Sequence, residues 1–116
     1  MFDINFLKET NDTLGHSAGD KLIRKAAECI TACFGDKSFR IGGDEFAAVV
    51  EDCKPEMVQQ MIYRFREVGE RENVSISVGY AYAEKINEST IKQMIDEADK
   101  LMYAEKQAVH HHRLAR

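Results

Sequence analysis

The sequence predicts an α+β fold: a split βαβ, ferredoxin-like antiparallel sheet with helices on one face and an added C-terminal helix. Three observations carry this reading. Apolar residues recur at three- and four-residue spacing in three long segments. Short runs rich in β-branched and aromatic residues separate those segments. Two such runs, "KSFRI" and "EFAAVV", flank a Gly-Gly-Asp turn and so form a hairpin. The resulting order is strand, helix, strand, strand, helix, strand, helix.

Each element has its own signal. "MFDINF" is short, apolar and β-compatible, with Asp3 interrupting it. The polar stretch "LKETNDTLGHSAGD" reads as turns, from Asn11, Asp12, Gly15 and Gly19. From about Ser17, the spacing of Leu22, Ile23, Ala26, Ala27 and Ile30 predicts a helix that Gly35 and Asp36 end. Pro55 suits a first helical turn, with Val58, Met61, Ile62, Phe65 and Val68 on the buried face. "NVSISVGYAYA" alternates as a strand does. Thr90 is placed to cap a last helix, buried through Ile91, Met94, Ile95, Ala98, Leu101 and Met102. Residues 110–116, "HHHRLAR", lack periodicity and read as a frayed tail, leaving one domain over residues 1–109.

Composition narrows the function. The chain has 116 residues, 44% of them hydrophobic and 31% charged, a balance ordinary for one globular domain. A net charge of −4 leaves no basic excess for broad nucleic-acid binding. No apolar run approaches the roughly 20 residues needed to span a bilayer, and no signal peptide opens the chain. Cys29, Cys33 and Cys53, an odd count without paired spacing, suit a reduced, cytoplasmic protein. Cys29 and Cys33 lie one helical turn apart but lack a nearby histidine, so buried packing is the simpler reading than a metal.

The topology gives the turn residues a second meaning. In a split βαβ sheet the first and third strands are antiparallel neighbours. Asp3, near the end of the first, and Glu45, opening the third, then meet at one sheet edge. Two carboxylates there seat a hard divalent cation, with phosphate oxygens completing its shell. Gly42 and Gly43, lacking Cβ atoms, let a nucleotide approach the backbone closely.

At this point the chain resembles the GGDEF-domain diguanylate cyclases, which join two GTP molecules into cyclic di-GMP in bacterial signal transduction. "RIGGDEF" matches the signature loop. "FDINFLKETNDTLGHSAGD", "VSISVGYA" and "ADKLMYAEK" match three further family segments in the family's order. The resemblance implies a nucleotidyl-cyclase or polymerase-palm type of fold. It implies that Asp3, Glu45 and the Ile4 carbonyl hold Mg²⁺ (or Mn²⁺), and that Asp44 and Glu45 serve catalysis. Asn11 and Asp20 would read guanine, and Lys8 and Lys106 would hold phosphates beside Gly42 and Gly43. The residues alone also allow Asp20 as a helix cap, Asn11 as a turn residue and the two lysines as surface charge. Implied partners are GTP, a second GGDEF domain in a transient homodimer, and a sensor domain in a parent protein.

The chain departs from the family pattern in four places. Asn5 stands where a second acid is usual. His110 replaces a phosphate-binding arginine, with Arg113 nearby in sequence. Cys33 stands where the inhibitory Arg-x-x-Asp site, here ending in Asp36, has its arginine. The family's N-terminal helix is missing, so the chain reads as a trimmed fragment. His110–His112 read as tail rather than metal ligands, and His16 as a packing residue. The departures leave a second function open: a degenerate domain that binds GTP or cyclic di-GMP without turnover.

Overall fold

The computed structural model describes residues 1–114. Strands β1 (Phe2–Ile4), β2 (Ser38–Gly42), β3 (Glu45–Ala48) and β4 (Ile76–Val78) form one sheet in the order β2-β3-β1-β4. Every neighbouring pair is antiparallel. The helices are α1 (Leu7–Leu14), α2 (His16–Phe34), α3 (Pro55–Arg71) and α4 (Glu88–Leu114). This is the expected α+β, split βαβ sheet.

Alternation along β1 sorts the faces. Phe2 and Ile4 enter a core with Ala26, Ile30 and Phe34 of α2 and Ile62 and Phe65 of α3. The rings of Phe2, Phe34 and Phe65 meet at centroid distances of 5.0–6.0 Å. Asp3 points the other way and bonds to Lys106 of α4. The helices are therefore not all on one face: α2 and α3 cover one, and α4 lies against the other at β4 and β1. Gly79 permits that approach, since a Cβ there would fall 2.2 Å from the Ala98 carbonyl oxygen.

Five local expectations change. "LKETNDTL" is helical, not turns. Its Thr, Asn and Asp residues have weak intrinsic helix propensity, but α1 packs along α2, with Asn11 seated against Gly19. β4 is only three residues long, because β1 offers it only three partners. Asn87, not Thr90, caps α4: its side-chain oxygen accepts from the Thr90 N–H at 2.9 Å and from the Thr90 hydroxyl at 3.0 Å. Ala98 and Met102 are buried, whereas Ile91, Ile95 and Leu101 are about half exposed, since α4 covers only the β4–β1 half of its face. Finally, α4 continues through the expected frayed tail to Leu114. His110 packs at a tilt against Phe6, and Arg113 lies 4.0 Å over the same ring. Residues 115–116 of that tail lie outside the described residues.

Candidate active site

The acidic end of the sheet is built by register. Asp3 pairs directly with Glu45 across β1 and β3, so the two side chains share a face. The ladder runs one bond further, from the Ile4 N–H to the Asp44 carbonyl at 2.9 Å. That bond holds the turn against β1. Gly43 takes a left-handed conformation (φ +49°) that a glycine adopts without strain. The Arg40 guanidinium donates to the Gly43 carbonyl at 2.7 and 3.1 Å, bracing the turn from within the hairpin. The positions a Cβ would take at Gly42 and Gly43 are open.

Asp3 is only 7% exposed. Burial pushes its carboxyl up to about 6; the hydrogen bond from Lys106 pulls it back, and the neighbouring Asp44 carboxylate adds to the rise. The Lys106 ammonium lies 2.8 Å from Asp3 Oδ1, 3.2 Å from the Ile4 carbonyl and 3.7 Å from Asp44 Oδ2. Among the described residues, no group of three His, Cys, Asp or Glu side chains is arranged to hold a metal by itself. What converges is an all-oxygen set, Asp3, Asp44 and the Ile4 carbonyl, already seating a cationic group. That chemistry fits a hard divalent cation whose remaining ligands come from outside the chain.

Asn5 has other work. Its side-chain amide donates to Ser75 Oγ at 3.0 Å, and its oxygen accepts from the buried Ser77 hydroxyl at 3.1 Å. The network ties the end of β1 to β4.

The remaining site residues lie on the next two helices. Lys8 is exposed at the start of α1, Asn11 rests against Gly19, and Asp20 follows Gly19 with an exposed side chain. Gly15, not Asp20, precedes the first turn of α2, so Asp20 is not its cap. Among the described residues, no hydrogen bond or ion pair joins Lys8, Asn11 or Asp20 to the acidic end. An open groove of about 460 Å³ runs past Glu45, Ile41 and Asp96 and takes in none of those three residues. Sequence reasoning missed the Phe6–His110 contact and the seat of Lys106. Neither has a local signal, since each partner is about a hundred residues away. Arg40 and Gly43, three apart in one hairpin, were within its reach.

The family model described as diguanylate cyclase, GGDEF domain, matches residues 1–112. This chain belongs to the GGDEF-domain family of diguanylate cyclases. Diguanylate cyclase A of Treponema denticola is 31% identical over 92% of the chain and 32% of its own length. Probable diguanylate cyclase DgcJ of Escherichia coli is 32% identical over 90% of the chain and 22% of its own length. The chain thus spans a third or less of these curated relatives. The solved structure of an EAL/GGDEF domain protein from M. capsulatus superposes with a TM-score of 0.59 at 23% identity. It covers 92% of this chain and 76% of the other, a likeness of fold. The described GGDEF domain contains no helix long and apolar enough to cross a membrane.

Proposed function

We propose that this GGDEF domain condenses two GTP molecules into cyclic di-GMP, releasing two pyrophosphates. The observation that carries the reading is the acidic end of the sheet. Asp3, Asp44 and the Ile4 carbonyl converge on one cationic group, with Glu45 paired to Asp3 across the ladder, beside an open Gly42–Gly43 turn, in a chain of this family.

Asp3, Glu45 and the Ile4 carbonyl would hold Mg²⁺ or Mn²⁺, which when bound lowers the pKa of a 3′-hydroxyl and offsets charge at an α-phosphate. Asp44, at the same tip, stands where it can accept a proton from the attacking hydroxyl. Gly42 and Gly43 admit the phosphates to the backbone, and Lys8 and Lys106 offset their charge. Asp20 accepts from guanine N1–H and N2–H, donors that adenine lacks, with Asn11 beside it. The chain mostly positions and neutralises. One such site holds one nucleotide, so two domains must face each other, each presenting its GTP to the other. In the cell, a cytoplasmic parent protein with a sensor domain would bring them together.

A second reading, nucleotide binding without turnover, draws support from His110. In place of the family's arginine there is an imidazole, packed against Phe6. Incubation with GTP and Mg²⁺ decides between the two. Cyclic di-GMP with two equivalents of pyrophosphate supports the cyclase, and GTP binding without product supports the binding domain.

A further inference from the structure

Lys106 occupies the place proposed for the cation. Its ammonium touches Asp3 Oδ1 at 2.8 Å and the Ile4 carbonyl at 3.2 Å, two of the three groups assigned to the metal. Asp44 Oδ2 completes the ring at 3.7 Å. A divalent cation needs those same oxygens at roughly 2.0–2.6 Å. An ammonium at hydrogen-bond distance from both oxygens and a divalent cation bound to the same pair would lie within a few ångströms of each other, and their like charges repel strongly in this closed-in place.

We infer that Lys106 is the resident counter-cation of this seat, and that a divalent cation enters only by displacing it. The inference rests on the metal reading of Asp3, Ile4 and Glu45 given above. The surroundings suit a side chain that leaves while its helix stays. Asp3 is closed in, but the Lys106 side chain is 21% exposed and so has a path to solvent. The neighbouring Glu105 is already held by Arg66 in a two-pronged pair at 2.6 and 2.9 Å. That pair anchors α4 to α3 and occupies the adjacent carboxylate. The four-carbon stem of Lys106 then swings from a fixed backbone.

Displacement couples the two ligands. Without nucleotide, cation binding must break the Lys106–Asp3 pair and is weakened accordingly. Phosphates that draw the ammonium away empty the seat. By linkage, the cation must then tighten nucleotide binding by the same factor. An internal cation of this kind keeps the buried Asp3 paired until both substrate and metal arrive.

Direct Mn²⁺ binding tests this, read as loss of the free-ion electron paramagnetic resonance signal without nucleotide at one fixed pH. Lys106→Gln should bind Mn²⁺ about fivefold tighter or more than the parent, within the usual range of coupling between sites. Lys100→Gln, at an exposed pair with Asp96, should bind as the parent does. Equal or weaker binding by Lys106→Gln overturns the inference and leaves the metal seat standing. No binding to either protein removes both. Because Lys106→Gln leaves a buried carboxylate unpaired and so puts the fold itself at risk, the parent chain supplies a second readout. Reductive methylation followed by mass spectrometry should show Lys106 becoming more reactive as Mn²⁺ saturates, with Lys100 unchanged. Constant reactivity of Lys106 at saturation overturns the inference independently of the variant.

Discussion

The imidazole of His110 packs against the ring of Phe6 at a centroid distance of 4.8 Å, the two planes tilted by 48°, joining the end of the last helix to the start of the first. Phe6 itself holds a left-handed backbone conformation (φ +65°), unusual for a bulky residue and sustained only where its surroundings enforce it. With Arg113 on the same ring, these contacts tie down the helix end where the sequence loses its periodicity.

Phe6→Ala should release that end. Amide hydrogen exchange from about residue 107 onward should accelerate while the amides of α2 and α3 stay protected. Global stability should fall by about 1–2 kcal/mol, the scale of an aromatic pair plus a cation–π contact. Unchanged exchange across α4 would show that the Phe6 contacts contribute nothing there.

Glu45→Ala removes the carboxylate that faces Asp3 across the ladder. Metal-dependent formation of cyclic di-GMP should disappear, while the circular dichroism spectrum stays that of the parent. Near-normal product formation would sink the assignment of Glu45.

Guanine selectivity should rest on Asp20. Asp20→Ala leaves two donors of the base unpaired and should cost about 1–3 kcal/mol of GTP affinity. Gly19→Ala probes the same place from inside, because its Cβ would fall 1.7 Å from the Asn11 side-chain oxygen and push that side chain away. Calorimetric titration of both variants should show weakened GTP binding against weak ATP binding throughout. Equal affinity of the parent for the two nucleotides would refute the guanine reading.

The Asp3 carboxyl gives stability a pH dependence of definite sign. Its value is about 6 in the fold against an ordinary 3.8. The folded chain therefore holds this proton more tightly than the unfolded chain. Stability from this group is complete below about pH 4 and is lost as pH rises toward 6, by about 3 kcal/mol at most. Urea midpoints measured in chelator should fall more steeply over that window for the parent than for Asp3→Asn. Parallel profiles would count against a raised Asp3.

Assembly should limit turnover. Each domain carries one proposed GTP site, the product needs two nucleotides joined twice, and two copies at −4 repel slightly. The specific rate should be low and rise with protein concentration. A leucine zipper fused ahead of Met1 should raise it by increasing effective concentration. A rate that stays constant over a wide dilution range, in a sample shown to be monomeric, would refute the two-site mechanism.

The sequence by itself determined the features that are local and periodic. The faces of α2 and α3, the hairpin around Gly42–Gly43 and the antiparallel meeting of Asp3 with Glu45 all follow from apolar spacing, turn chemistry and strand order. It also placed Asn11 and Asp20 within one short segment, although not on the packed α1–α2 pair that positions them. Only the tertiary structure decided the rest. α1 is helical against the propensity of its own residues because α2 offers it a surface. α4 lies on the far face because Gly79 lets two backbones come close. Lys106 reaches Asp3 across 103 positions of chain, a contact made by the packing of α4 on β1 and β4 rather than by any spacing. Periodicity reports which side of an element is buried, but not what it is buried against. The seat of Lys106 therefore depends on long-range packing that the pattern of residues does not encode locally.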